Sequence, residues 1–306
     1  MRNSIGVGVT LLAGLGLLLA PVPTVAAEPP SSPADLPVRW EEMTAPDFMK
    51  AIDRSGGVGV VPLGIIEKHG PHLPLGTDLL NVREVVLRAV AKEYAVVFPP
   101  YYVGQIFEAR HQPGTVAYSE RLMFDLLQET VDEIARNGLK KIVLVSGHGG
   151  NGSFLPFFCQ SQLARRRDYA VYLYEPSQRA ADDARITALR KTELDMHGGE
   201  VETGTMLANR PELVRLDAAN DQSGADQGRL AELKDAYTAI WWYARFPNHY
   251  AGDGSSATRE LGELALRLQA EQLADMIRSV KADTATLELQ KRFFDEAQAP
   301  RATPQK

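Results

Sequence analysis

Uninterrupted apolar runs alternate along this chain with stretches of helical periodicity. Val58–Leu63 (VGVVPL), Tyr94–Phe98 and Lys141–Val145 (KIVLV) are short and bounded by Gly, Pro or Asn. Such runs mark strands buried on both faces, as in a parallel sheet covered by helices. A fourth strand is expected over Tyr169–Tyr174. Helices are expected from Thr44, a capping residue followed by Pro46, to about Arg54, over Asp78–Lys92, and from Ser119 to an Asn137-Gly138 stop. Others are expected from about 152 to Arg166, over Ala180–Thr192, before Pro211, and over Thr258–Val280. Strand and helix alternate, which predicts an α/β fold with a mostly parallel sheet flanked by helices in three layers.

The first 27 residues depart from this pattern. Arg2 precedes an apolar stretch from Ile5 to Ala20, Pro21 and Pro23 break it, and Val25-Ala26-Ala27 supplies small residues suited to cleavage before Glu28. This is the layout of a cleavable export signal and places the protein in the periplasm or outside the cell. An uncleaved anchor is the alternative, although the run is short for a span. Residues 28–36 form a Pro/Ser-rich leader, 37–292 a single domain, and 293–306 a polar tail.

Composition narrows the function. Hydrophobic content of 44% and charged content of 24% over 306 residues fit an ordinary globular core, and the formal net charge is −6. The one dense basic cluster, Ala164 to Arg167, reads as a solvated helix end, so no nucleic-acid surface is expected. No membrane partner is expected after signal cleavage. Cys159, the single cysteine, sits in an apolar run and reads as a small buried hydrophobe.

The chemistry concentrates at strand ends. Glu67, His69 and His72 fall within six residues after the first strand, in VPLGIIEKHGPHLPLGTD, which closes on Asp78. SGHGGNG with His148 follows the third strand, and MHGGEVETG with His197, Glu200 and Glu202 comes later. Four of the six histidines lie in these segments. Open α/β sheets bind ligands beyond the carboxyl ends of their strands, so Glu67, His69, Asp78 and His148 could meet around a metal. Carboxylate and imidazole suit Zn²⁺ first, with Mn²⁺ or Fe²⁺ as alternatives. The plainer readings are a surface Glu–His pair and, at His148, a glycine-rich anion-binding turn. His72 reads as a supporting residue, His249 as a surface or pocket histidine without a role, and Glu108 and His111 as loop residues lining the pocket.

These motifs resemble the creatininase (creatinine amidohydrolase) family. The resemblance runs through WEEMT at 40–44, the Glu67–Asp78 segment, PGT at 113–115, GHGGN at 147–151, HGGEVET and AGDGSSAT. It implies a creatininase-like fold, assembly into homo-oligomers (hexamers), and hydrolysis of cyclic or linear amide C–N bonds of small molecules by two divalent metal ions and the hydroxide they bridge. It also implies metal ligation by Glu67, His69, Asp78 (bridging), His148 and Glu202, with Glu200 as the alternative to Glu202. Catalytic roles fall to His197 as proton shuttle and to Glu202. Creatinine-hydrolysing members carry Glu two residues after the equivalent of His148, where this chain has Gly150. They also carry tryptophans between the GH and HxG motifs, where residues 152–196 here contain none. The substrate is therefore expected to be an amide other than creatinine. An exported, non-catalytic metal- or solute-binding protein is the alternative, and the polar set His197, Glu200 and Glu202 speaks against it. A phosphoesterase is disfavoured because no Lys or Arg accompanies the motifs.

Overall fold

The first turn of helix α1 (Ala45–Arg54) begins as its sequence requires. Thr44 accepts the Asp47 amide hydrogen and Pro46 fills an early position that needs no donor. The computed structural model describes Met1, residues 36–174 and residues 184–305. The expected export signal, apart from Met1, and the expected leader, apart from Leu36, lie outside those residues, as does the first part of the helix expected from Ala180. In chain order the described elements continue as β1 (Val58–Leu63), α2 (Thr77–Val90), β2 (Val96–Val97), α3 (Glu120–Arg136), β3 (Lys141–Ser146) and α4 (Asn151–Ser161). After these come β4 (Ala170–Tyr174), α5 (Ala184–Leu189), β5 (Asp195–His197), α6 (Glu200–Asn209), α7 (Trp241–Arg245), β6 (Ala251–Gly252), α8 (Arg259–Ala282) and α9 (Ala285–Gln298).

Strands β2, β1, β3 and β4 form a parallel sheet in that order, with Val58 opposite Lys141 and Leu63 opposite Ser146. The apolar runs are continuous because both faces are covered. Val61 and Leu63 pack with Ala51 of α1, Leu127 and Val131 of α3 and Phe158 of α4. Val58 and Val60 pack with Val82 and Val86 of α2 and Leu273 and Ile277 of α8. The result is the expected three-layer α/β arrangement. Its central strands β1 and β3 end side by side, which brings their two chemical loops together.

Several elements differ from expectation in extent. The second strand shortens to Val96–Val97, since Pro99 and Pro100 lack donors and edge pairing ends with Phe98 bonding to the Val60 carbonyl (2.8 Å). The tail does not start at 293. Helix α9 runs to Gln298 and buries Phe294, and Gln290 donates to the Tyr169 carbonyl at 2.8 Å. The basic cluster is partly paired, Arg166 with Asp295 (2.5 Å) and Arg167 with Asp132 (3.0 Å). Cys159 is half-buried against the core. Among the described residues no helix is long and apolar enough to cross a membrane.

Candidate metal centre

Strand β1 stops at Leu63, so Glu67 and His69 do not share one face of a continuing strand. The chain folds back instead. The Gly64 amide donates to the Tyr101 carbonyl (3.0 Å) and the Glu67 amide to the Leu75 carbonyl (2.9 Å). A Cβ on Gly64 would lie 2.3 Å from Leu79 Cα. Only glycine lets the strand end sit against the start of α2, and that contact carries Asp78 inward.

Glu67 and His69 are fully buried, and Asp78 nearly so. Asp78 faces two imidazoles, with Oδ1 2.9 Å from His69 Nε2 and Oδ2 3.1 Å from His148 Nδ1. His148 Nδ1 is also 2.8 Å from Glu67 Oε1. Glu202, in the first turn of α6, brings Oε2 to 3.9 Å from His69 Nε2. Three sets of side chains could each hold a cation: Glu67–Asp78–His148, His69–Asp78–Glu202 and Glu67–His69–His197. The first two share Asp78.

Backbone carbonyls fix how the rings present themselves. His148 Nε2 lies 2.8 Å from the Gln105 oxygen and His197 Nε2 2.8 Å from the Lys68 oxygen, while His69 Nδ1 is 3.3 Å from the Glu67 oxygen. A carbonyl only accepts, so those nitrogens carry hydrogen and the opposite nitrogens are left to the carboxylates. Glu67 Oε1 and Asp78 Oδ2 are buried and accept no hydrogen bond of ordinary geometry. Buried carboxylate oxygens without partners are costly, and a ring nitrogen aimed at them leaves room for a proton or a cation. The donor set therefore fits a divalent metal.

The titration of the metal-free centre agrees. Burial alone would lower His69, but Asp78, then Glu67 and Glu202, raise it to about 10. His148 is likewise pulled down by burial and driven well above its ordinary value by Glu67 and Asp78. Burial would raise Glu67, yet His148 and His197 hold it well below the usual carboxylate range. Burial, then the positive His69 ring, push His197 down to about 3. Burial, with Asp78 and Glu67 adding to it against His69, pushes Glu202 up to about 7.

The remaining candidates take other places. Glu200 is buried, and its oxygens accept the Lys191 and Thr192 amides (2.8 and 2.9 Å); it ties α6 to the preceding loop. His72 Nε2 donates to Thr203 Oγ1 (2.8 Å), whose own hydrogen goes to the Gly198 carbonyl, so His72 props the HGGE turn. His111 is exposed, and its Nε2–H donates to the Pro247 carbonyl at 2.9 Å. His249, expected at the surface or in a pocket without a role, is 2% exposed and tied into the centre, with Nε2 hydrogen-bonded to Glu67 Oε2 and Nδ1 accepting Trp242 Nε1–H at 2.9 Å. No spacing signal links it to the Glu67 motif; the fold returns residues 241–250 to the end of β1.

Asp78, His148 and Glu202 open on a cavity of about 430 Å³, together with apolar Val82, Ile186 and Leu266 and with Arg190 and Asp195. A more open groove of about 730 Å³ along residues 226–245 contains none of the clustered carboxylates or imidazoles.

Residues 41–277 match the family described as Creatininase: Creatinine amidohydrolase. The chain belongs to the creatininase family. Creatinine amidohydrolase of Pseudomonas putida is 28% identical over 251 residues, 78% of this chain and 95% of that protein. The mycofactocin precursor peptide peptidase of Mycolicibacterium smegmatis is 29% identical over 231 residues, 73% of this chain and 85% of that one. A crystal structure of creatinine amidohydrolase (creatininase) superposes with a TM-score of 0.68 at 26% identity, covering 81% of this chain and 99% of the other. Creatininases solved as a Zn-Zn type and as a Mn form, both 25% identical, superpose at 0.67 and 0.66, each covering 79% of this chain. As a member of the creatininase family the protein is a hydrolase acting on amide C–N bonds.

The two departures from creatinine-hydrolysing members have local counterparts. A Cβ on Gly150 would lie 2.8 Å from Glu108 Oε1 and 2.4 Å from His148 Nε2, so the Glu108 carboxylate fills the space beside that glycine. An indole also stands near the centre, but α7 supplies it: the Trp242 ring meets His197 edge-on at 5.8 Å.

Proposed function

We propose that this creatininase-family member hydrolyses an amide C–N bond of a cyclic or linear small molecule at a centre of two divalent cations, Zn²⁺ first and Mn²⁺ as alternative. The observation that carries the reading is Asp78, whose two oxygens face separate imidazoles in two adjoining ligand sets. Glu67, Asp78 and His148 would hold one ion, and His69, Asp78 and Glu202 the other. When bound, such cations polarise a carbonyl and make water acidic enough to act as a nucleophile near neutral pH.

The chain's own groups account for the rest. Asp78, His148 and Glu202 face the cavity, where apolar walls would seat the body of the substrate and exclude water. His197 gives its Nε2–H to the Lys68 carbonyl, so any proton it exchanges passes through Nδ1, which lies 3.9 Å from Glu202 Oε2. Through that nitrogen His197, oriented beside the Glu202 carboxylate, would deliver the proton that the departing nitrogen needs. A screen of lactams, cyclic ureides, formamides and short peptides for ammonia or amine release tests the reading. Metal bound without release from any member of the panel would favour a binding protein instead.

The export signal supports a periplasmic or secreted enzyme. Amino-terminal sequencing of the fractionated protein should begin at Glu28, and an intact leader retained in membranes would overturn this. Light scattering of the mature protein tests the homo-oligomer that family membership suggests.

A further inference from the structure

We propose that His249 is the positioning residue for Glu67, saturating Oε2 so that Oε1 is the one oxygen left to a cation. The proposal rests on reading Glu67 as a metal ligand. Trp242 Nε1–H donates to His249 Nδ1 at 2.9 Å. An indole nitrogen only donates, so Nδ1 is the acceptor and the ring hydrogen sits on Nε2, which faces Glu67 Oε2 in a short hydrogen bond. With that hydrogen in place Nε2 offers no lone pair to a metal. His197 Nε2, 3.8 Å from the same oxygen, is committed to the Lys68 carbonyl. Glu67 Oε1, by contrast, faces only the His148 ring, with Nδ1 at 2.8 Å, the nitrogen from which a cation would displace the proton.

The backbone singles out the same residue. His249 has φ of +51°, a left-handed conformation that favours glycine. Its surroundings hold it there. His111 Nε2 and Gln112 Nε2 both donate to the Pro247 carbonyl at 2.9 Å, and the Gly70 amide donates to the His249 carbonyl at 3.4 Å. An imidazole kept at a glycine-type position, buried and bonded at both nitrogens, acts through Glu67.

The test is Zn²⁺ stoichiometry and affinity of the full mature protein, read by competition with a chromophoric chelator. His249→Gly suits the backbone and removes the ring; His249→Gln keeps an N–H donor at similar reach. His249→Gly should weaken one of the two ions by about 10–100-fold, as loss of a ligand's hydrogen-bond partner typically does, and leave the other unchanged. His249→Gln should restore most of that loss. Trp242→Phe, which removes the indole donor, should weaken the same ion by a smaller factor. Wild-type affinities in both His249→Gly and Trp242→Phe would overturn the proposal, as would failure of His249→Gln to rescue, which assigns His249 to packing. Glu67→Ala separates the two readings: if it retains both ions, Glu67 is not a ligand and the underlying assignment fails.

Discussion

A cation entering this centre first has to displace protons. In the metal-free protein His69 is raised to about 10, so its ring is protonated at pH 8, and Glu67 and Asp78 hold His148 toward its protonated form. Each gives one nitrogen to a backbone carbonyl and the other to carboxylates. Ligation replaces the proton on the carboxylate-facing nitrogen. Filling both halves should therefore release at least one proton per chain at pH 8, that of His69, with His148 adding to it, and the overall binding constant should rise at least about 10-fold per pH unit. Glu202, at about 7, adds a fraction of a proton near neutrality that disappears at higher pH. Titration calorimetry of Zn²⁺ into metal-free protein, in buffers of different ionisation heat, reads the proton count directly. The sign for stability follows from the same shift. His69 is raised above 6.5, so its protonation stabilises the metal-free fold in full below about pH 6.5 and is lost as pH rises through about 10. At about 1.4 kcal/mol per tenfold change in proton affinity, His69 alone carries up to ~5 kcal/mol. The metal-loaded protein should show no such loss. Release of less than one proton, or a metal-free stability that stays flat from pH 7 to 10, would refute the reasoning.

Other consequences are separable. Glu200→Gln should cost about 1–3 kcal/mol in urea unfolding, because the buried acceptor of the Lys191 and Thr192 amides is weakened, while Zn²⁺ stoichiometry stays unchanged; loss of a bound ion would make Glu200 a ligand after all. Gly262→Ala should destabilise by about 1–3 kcal/mol or more, since its Cβ would lie 1.8 Å from the Gly204 carbonyl oxygen where α8 meets α6. Unaltered unfolding would show that the two helices part readily. Creatinine should not be turned over by the metal-loaded enzyme, and its hydrolysis would show that Glu108 and Trp242 replace the missing residues in function.

Much of this was legible in the residues. Val58–Leu63 and Lys141–Val145 read as strands because both their faces are apolar, and Thr44, Ser119 and Thr258 cap helices where their hydroxyls accept the amide three residues on. Glu67, His69, Asp78 and His148 converge as strand-end residues should. The path between them was not legible, because periodicity could not say that β1 stops at Leu63 and that a tight glycine contact sets α2. Glu200 and Glu202 lie two apart at a helix start and so point to different sides. Sequence could exclude their sharing a role without saying which joined the His69–Asp78 cluster. His249 and Glu67 are 182 positions apart, a pairing that only tertiary structure makes. Phe294 was hidden in a polar tail because one buried ring on an exposed helix leaves no stripe.

The central claim is that one pair of ligand sets, joined at Asp78, hydrolyses an amide. The most direct measurement takes metal content and amide turnover from the same preparations: Zn²⁺-loaded protein, chelated protein, reloaded protein and Asp78→Ala. Two ions per chain should accompany turnover, both should vanish on chelation and return together, and Asp78→Ala should lack both. Full turnover by the chelated protein, or by Asp78→Ala without bound metal, would contradict it.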